Sequence, residues 1–160
     1  MKVCIIGDGL VSVTLANVLI QKDIFVDILI SKKKNNYDQH RTLGVSKSNI
    51  DYLNNEIINI KKILWEIKRI KIFTEKDAKQ EILKFDNENK QIFSIIRNYQ
   101  LYKLLFNKLK KNKYIKFKRN SDLNKQEYKL IINCDSNHPL TRKFFFKKIE
   151  KNYNSYAYTT

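Results

Sequence analysis

The chain has 160 residues, 42% of them hydrophobic, and a formal net charge of +16 from 32 Lys+Arg against 16 Asp+Glu. That length suits one domain, or one domain and part of another, and no stretch approaches the roughly 18 consecutive apolar residues of a membrane-spanning helix. The charge does not mark a nucleic-acid surface: only Arg41, Arg69, Arg97, Arg119 and Arg142 are arginines, the lysines are spread along the chain, and no aromatics interleave with them as a single-strand platform requires, which leaves weak attraction to anionic lipid headgroups.

Residues 3–6 form a short all-apolar run ending at Gly7, as a buried parallel strand does. Residues 10–21 follow, with Leu10, Val11, Leu15, Ala16, Val18 and Leu19 at helical spacing. Residues 24–30 are a second apolar run with β-branched members, which completes a strand–helix–strand unit of about 30 residues. Met1-Lys2 ahead of the first run does not read as a signal peptide, because Gly7-Asp8-Gly9 interrupts the run within a few residues.

Residues 31–42 are polar and basic without a period and read as a long loop. Ser46 can cap a helix through Ile50 and Leu53, and residues 59–65 continue apolar and helical. Residues 69–74, 81–85 and 91–96 read as three short strands, with a turn at 86–89 between the last two. Residues 98–110 are an amphipathic helix carrying Leu101, Leu104, Leu105 and Leu109 on one stripe. Strands return at 114–117 and 128–133, and the final "YNSYAYTT" alternates like the start of another. A chain stopping there is expected to be a portion of a longer protein, or to have its site completed by a partner chain.

There are no internal repeats, and the mid-chain lysine runs read as solvated faces. Cys4 and Cys134 lie in apolar, strand-like runs without the paired spacing of a zinc site, so they read as small buried residues of a reducing compartment. The expected setting is cytoplasmic.

Glycine is scarce: three residues, where average usage of about 7% would give about eleven. Two of the three are Gly7 and Gly9, in the turn "GDGLVS". In a dinucleotide-binding turn the first glycine permits the tight bend after the strand, the second lets the backbone approach the pyrophosphate, and the third lets the helix pack close to the sheet. The helix N-terminal N–H groups, here those of Leu10, Val11 and Ser12, then receive the phosphate. Ser12 stands where the third glycine belongs and is the next small option. Asp8 either turns away from a pyrophosphate or weakens the site, and it also suits the positive end of the helix dipole. The acid that bonds ribose hydroxyls at the end of the second strand has no counterpart between Ile28 and Tyr37. Ser31 offers one weaker hydrogen bond, and Lys32, Lys33 and Lys34 suit a 2′-phosphate or belong to the general lysine excess.

The order of later segments resembles the flavin-dependent aromatic hydroxylases, particularly those of ubiquinone biosynthesis. "GDGLVSVTLANVL" resembles that family's "GGGMVGATLALAL" opening, "DQHRTLGVS" its "DxRxxALS" segment, "FSIIRNYQLYKLLFNKL" its "GYIVENRxLxxALxxAL" segment, and "LIINCDSNHPLTR" its "LVVGADGxxSxxR" segment. The tail "NYNSYAYTT" resembles "DYGQTAIVA". Ser136 and Pro139 depart from the fourth segment, and the family is more than twice this length.

The resemblance implies an α/β fold: a Rossmann-like FAD-binding domain, a parallel sheet with flanking helices, plus a small inserted β-strand region. Residues 1–160 would be the N-terminal part of a monooxygenase, with about 66–96 opening the substrate domain. It places Arg41 near the flavin dinucleotide, Asn98 on the cofactor side, and Asp135 and Arg142 in a second nucleotide-contacting motif. It further implies NAD(P)H as reductant, a polyprenylated phenol of ubiquinone biosynthesis as the small aromatic substrate, and peripheral association with the inner membrane. From the residues alone, Arg41 also reads as a surface arginine, Asn98 as a helix N-cap and Asp135 as a turn residue. His40 and His138 read as solvated or locally bonded, no acid–base residue is named, and no metal site is expected. Two other functions fit the same residues: a degenerate Rossmann module acting as a binding or assembly subunit, and a fragment of an NAD(P)-dependent oxidoreductase.

Overall fold

The computed structural model describes residues 1–30, 39–74, 80–86, 90–119, 123–144 and 151–154. It is an α/β structure built on a four-stranded parallel sheet. In chain order the elements are β1 (Lys2–Ile6), α1 (Leu10–Ile20), β2 (Phe25–Ile30), β3 (Thr42–Ser46), α2 (Lys47–Tyr52), β4 (Trp65–Ile67), β5 (Arg69–Phe73), β6 (Glu81–Asp86), β7 (Phe93–Arg97), α3 (Asn98–Lys110), β8 (Ile115–Arg119), β9 (Leu130–Asn133) and α4 (Pro139–Phe144). The parallel sheet has the order β8-β2-β1-β9; β3-β7-β4 form a second, antiparallel sheet, and β5-β6 a two-stranded ribbon.

The parallel strands are short apolar runs because both faces of the sheet are covered. On one face Val3, Ile5, Val26, Ile28 and Ile115 pack against Val13, Ala16 and Ile20 of α1 and Leu101, Leu105 and Leu109 of α3. The predicted leucine stripe of α3 is thus its buried face, with Leu104 at its margin. Asn17 ties the two helices together: its buried Nδ2 donates to the Val13 carbonyl within α1 and to the Leu105 carbonyl of α3, 2.8 and 3.1 Å away.

The opposite face carries a smaller cluster of Cys4, Ile6, Leu29 and Tyr128, and beside it a polar network absent from the sequence reading. The buried Asp27 Oδ2 accepts from the Tyr128 hydroxyl at 2.8 Å and lies 3.0 Å from Lys118 Nζ and 3.1 Å from Lys2 Nζ. Glu127 closes the ring, 3.3 and 3.4 Å from the same two ammonium groups. Burial pushes the Asp27 carboxyl up, but the bonds from Lys118, Tyr128 and Lys2 outweigh it and hold the group below the usual carboxylate range. Hydrogen bonding to Asp27 raises both Lys118 and Lys2. Burial pushes the neighbouring Cys4 thiol up to about 11, in keeping with an inert structural cysteine. Both cysteines are free, Cys4 buried and Cys134 half-buried.

One expectation needs correction. Residues 59–65 are not helical: after a π turn at Leu53–Ile57 the chain makes a 3-10 turn at Lys61–Ile63 and enters β4 at Trp65. The Asn54 side chain caps this break, accepting from the Ile60 N–H at 2.8 Å. Of the region read as a loop, residues 39–41 are irregular and 31–38 lie outside the described residues; the strand that follows, β3, is absent from the sequence reading and runs antiparallel to β7. Ser46 caps α2 as expected, its hydroxyl accepting from the Asn49 N–H. The turn at 87–89 and the tail residues 155–160 lie outside the described residues. Among the described residues no helix is long and apolar enough to cross a membrane.

The Asp27 network sets a pH signature. Its folded pKa lies below an unfolded value of about 3.9, so its contribution is complete above that pH and disappears as pH falls through the folded value. Asp27→Asn is expected to lose about 2 kcal/mol at neutral pH and to flatten the fall in stability below about pH 4. Urea unfolding across the acid range checks both.

Candidate functional site

In an open parallel sheet the chain first winds outward on one side of a strand and later returns on the other, and the crevice outside the carboxyl ends at that reversal is where ligands bind. Here β1 pairs with β2 on one side and with β9 on the other, so the reversal lies between β1 and β9. The glycine turn leaves β1 at this point. Gly7 has φ +100, a conformation that excludes most side chains, and its N–H donates to the Leu29 carbonyl at 3.1 Å. A Cβ on Gly7 would sit 3.2 Å from Asp135 Cβ and 3.4 Å from the Cys134 carbonyl carbon. The first glycine therefore serves both the bend and the approach of the strand on its far side.

Gly9 differs. It is the N-cap of α1 in extended conformation, and a Cβ there would meet nothing within 4 Å. Its carbonyl receives the Val13 N–H at 3.1 Å, so the N–H groups of Leu10, Val11 and Ser12 have no intrahelical acceptor. Bare backbone, open space and a helix N-terminus coincide, which is the arrangement that accepts a phosphate. Ser12 is fully buried and its Oγ has no hydrogen-bond partner among the described residues. Val11 is exposed beside it and Leu10 half-buried.

Asp135 follows β9 in a locally bonded turn. Its N–H donates to Asn133 Oδ1, its own Oδ1 accepts from the Asn137 N–H at 2.9 Å, and its carbonyl accepts from Thr141 Oγ1 at 2.9 Å. The turn role read from the sequence is therefore present, at the reversal point itself. Pro139, a departure from the resembled motif, is simply the first residue of α4, where a missing N–H is harmless. Arg142 is exposed on α4, one residue after the threonine that binds back to Asp135.

Arg41 and Asn98 are 57 positions apart, yet the Asn98 N–H donates to the Arg41 carbonyl at 3.0 Å where β3 pairs with β7. Asn98 is not the helix N-cap. Arg97 holds that place with backbone angles still extended and no side-chain cap bond, and Asn98 is the first residue of α3. Its Oδ1 is buried without a partner among the described residues. Arg41 is exposed.

The two halves of the site meet through topology. A short turn joins α3 to β8, which is parallel to β2 and β1, so α3 starts at the carboxyl edge of the sheet, as α1 does. The Asn17–Leu105 bond sets the level: Asn17 is seven residues beyond Leu10, and Leu105 seven beyond Asn98. Gly9, Asn98 and Asp135 thus share one edge. Ser31 and Lys32, Lys33 and Lys34 lie outside the described residues. The one acid of β2, Asp27, sits beside Cys4 and Lys116 in mid-strand and is committed to the opposite face, so it does not replace the missing ribose acid. The Asp27 network was invisible beforehand because its partners are distant in sequence. Among the described residues no cluster of His, Cys, Asp or Glu could hold a metal ion.

No protein-family model matches the chain, and no curated protein matches it. Solved structures do. PqsL from Pseudomonas aeruginosa, a probable FAD-dependent monooxygenase, aligns over 95% of this chain and 47% of its own at 9% identity and TM-score 0.69. The p-nitrophenol 4-monooxygenase PnpA from Pseudomonas putida DLL-E4 aligns over 74% of this chain and 31% of its own, with 14% identity and TM-score 0.60. HpxO from Klebsiella pneumoniae, complexed with FAD and uric acid, aligns over 73% and 30%, with 13% identity and TM-score 0.53. The shared feature is the fold, and the chain spans less than half the length of these proteins.

The two glycines should respond differently to a methyl group. Gly7→Ala meets both an unfavourable φ and the Asp135 contact, and is expected to destabilise by about 1–3 kcal/mol. Gly9→Ala enters open space at an ordinary φ and should stay within about 0.5 kcal/mol of the parent. Parallel urea titrations measure the contrast, and equal losses would contradict it.

Proposed function

We propose that residues 1–160 form the FAD-binding portion of a flavin-dependent aromatic hydroxylase. The observation that carries this reading is the glycine turn at the sheet reversal: Gly7 locked against Asp135, Gly9 bare beside open space, and three unpaired N–H groups opening α1. The residues fit a dinucleotide. Leu10, Val11 and Ser12 would hold the pyrophosphate through backbone N–H groups, and Ser12 Oγ and Asn98 Oδ1 are buried polar atoms without partners. In this reading Arg41, before β3, Asp135, after β9, and Arg142, on α4, would flank the cofactor, and Ser31 would offer its ribose one hydrogen bond. When bound, FAD supplies the redox chemistry, since reduced flavin reacts with oxygen and delivers an oxygen atom to an activated ring. This chain's residues bind the cofactor and keep water from it.

The finer assignment rests on the resemblance of the four segments quoted above: NAD(P)H as reductant and a polyprenylated phenol of ubiquinone biosynthesis as substrate. In this reading residues 66–96 open the substrate domain, and further protein, as a continuation or a partner chain, completes the site. The lysine excess supports peripheral attraction of a cytoplasmic protein to an anionic membrane surface.

A second reading, a Rossmann module that has lost catalysis and serves in binding or assembly, is favoured by the absence of any Asp or Glu between Ile28 and Tyr37. FAD titration of the purified chain separates the two. Binding tighter than about 100 μM, equivalent to about −5.5 kcal/mol, with at least a tenfold loss in Gly9→Ala and in Asn98→Ala, is expected for the flavoprotein. No binding at that concentration leaves the module.

A further inference from the structure

The antiparallel sheet carries a cavity on its outward face that the glycine turn does not use. Strand alternation puts Thr42 of β3, Ile95 and Arg97 of β7 and Trp65 of β4 on one face, because Thr42 pairs with Arg97 and Trp65 with Ile95. Together with the 3-10 turn that carries Lys62, they border an open cavity of about 470 Å³. That volume is in the range of sites for small molecules, roughly 300–1,000 Å³.

The lining has two chemistries. Trp65, the chain's single tryptophan, is 73% exposed, and Ile95 lies beside it. An indole left in water at the wall of a cavity offers a large flat face at little entropic cost of ordering. Beside it stand two cations, Arg97 and Lys62, and among the described residues no acidic one lines the cavity. Among the described residues neither cation has a carboxylate partner. With 32 Lys+Arg against 16 Asp+Glu, cations without a carboxylate are common in this chain, and what sets Arg97 and Lys62 apart is that both line one cavity together with an indole. Gln100, in the first turn of α3, adds a neutral donor and acceptor at the rim.

We propose that this cavity binds a planar aromatic ligand bearing a carboxylate or phosphate, with the ring against Trp65 and the anion on Arg97 and Lys62. The guanidinium matches either anion by a two-pronged hydrogen bond, and the lysine adds a point charge. A neutral ring would leave both cations unmatched, and a bare anion would leave the indole uncovered. The cavity is built from the antiparallel sheet, its flanking turn and the start of α3, and none of Gly7, Gly9, Ser12 or Asp135 lines it.

The single tryptophan makes the test direct, because its emission reports this cavity alone. Benzoate and phenyl phosphate are expected to change Trp65 emission saturably at millimolar concentration or below. Benzamide, the neutral ring, and inorganic phosphate, the anion without a ring, should each bind at least tenfold more weakly. Arg97→Gln and Lys62→Gln should each weaken the two anionic probes severalfold and leave benzamide unchanged; both side chains are exposed, so folding is retained and is verified by the ligand-free emission. Trp65→Leu, followed by calorimetry, should lose the preference for ringed anions over inorganic phosphate. The tighter of the two anionic probes names the anion. Equal affinity for benzamide and benzoate, insensitivity to Arg97→Gln, or no saturable change would overturn the proposal.

Discussion

The close approach of Gly7 to the turn after β9, at the carboxyl edge of the sheet, organises this molecule. Gly7 turns out of β1 with a positive φ while β9 arrives beside it, close enough that a Cβ would sit only 3.2 Å from Asp135 Cβ. A side chain at position 7 would be strained by that φ and would crowd the start of the Asp135 turn. Because β9 is held there, with the Cys134 N–H on the Ile6 carbonyl at 2.9 Å, the Asp135 turn is carried to the mouth of the reversal. Because α1 begins three residues after Gly7, its first N–H groups, which have no intrahelical acceptor, lie at the same edge. The site is thus a consequence of strand order, completed when α3 is brought level by the Asn17 bond to Leu105.

The two faces of the parallel sheet are stabilised differently. Toward α1 and α3 the contacts are aliphatic and continuous, and stabilisation follows from apolar area withdrawn from water. On the other face four buried residues form a small cluster, and a carboxylate is enclosed beside it. A buried ionised group is tolerated only when its lone pairs are filled. Asp27 meets that condition with two ammonium groups and a phenol, drawn from β1, β8 and the segment before β9. The network therefore spans the four-stranded sheet from one edge strand to the other and adds directionality to packing that is otherwise non-directional.

The β5-β6 ribbon shows a third arrangement. Register places Ile70, Ile72, Leu83 and Phe85 on one face, and Arg69, Lys71, Lys84 and Asp86 on the other. The charged face is laced by Arg69–Asp86, Lys71–Glu81 and Lys84–Asp86 pairs, each partly exposed and individually worth little. The apolar face is largely open, with Ile72, Leu83 and Phe85 all exposed. A two-stranded ribbon is marginal in water by itself, so this is the part of the described fold with the least of its own stabilisation.

What the sequence determined by itself was local. The β1-α1-β2 unit, the leucine stripe of α3, the cap at Ser46 and the weight of two glycines in a glycine-poor chain all follow from residue type and spacing within one turn or strand. Such signals survive because neighbours in the chain are neighbours in space. The errors fell where that ceases to hold. "TLGVS" has no strong strand pattern and becomes β3 only by pairing with β7, fifty residues on. Residues 59–65 are apolar at a length that suits helix or strand equally; they make only a 3-10 turn at Lys61–Ile63, and pairing of Trp65 with Ile95 starts β4. Asn98 looked like a cap, but β7 runs through Arg97 and moved the cap back by one, leaving the asparagine buried and unpartnered. Asp27 gave no sign of its role because its partners lie far along the chain. Tertiary structure alone could assemble that network, the Gly7–Asp135 contact and the Trp65 cavity, since each depends on strand order and register, which are settled by the packing of distant segments rather than by the preference of any one.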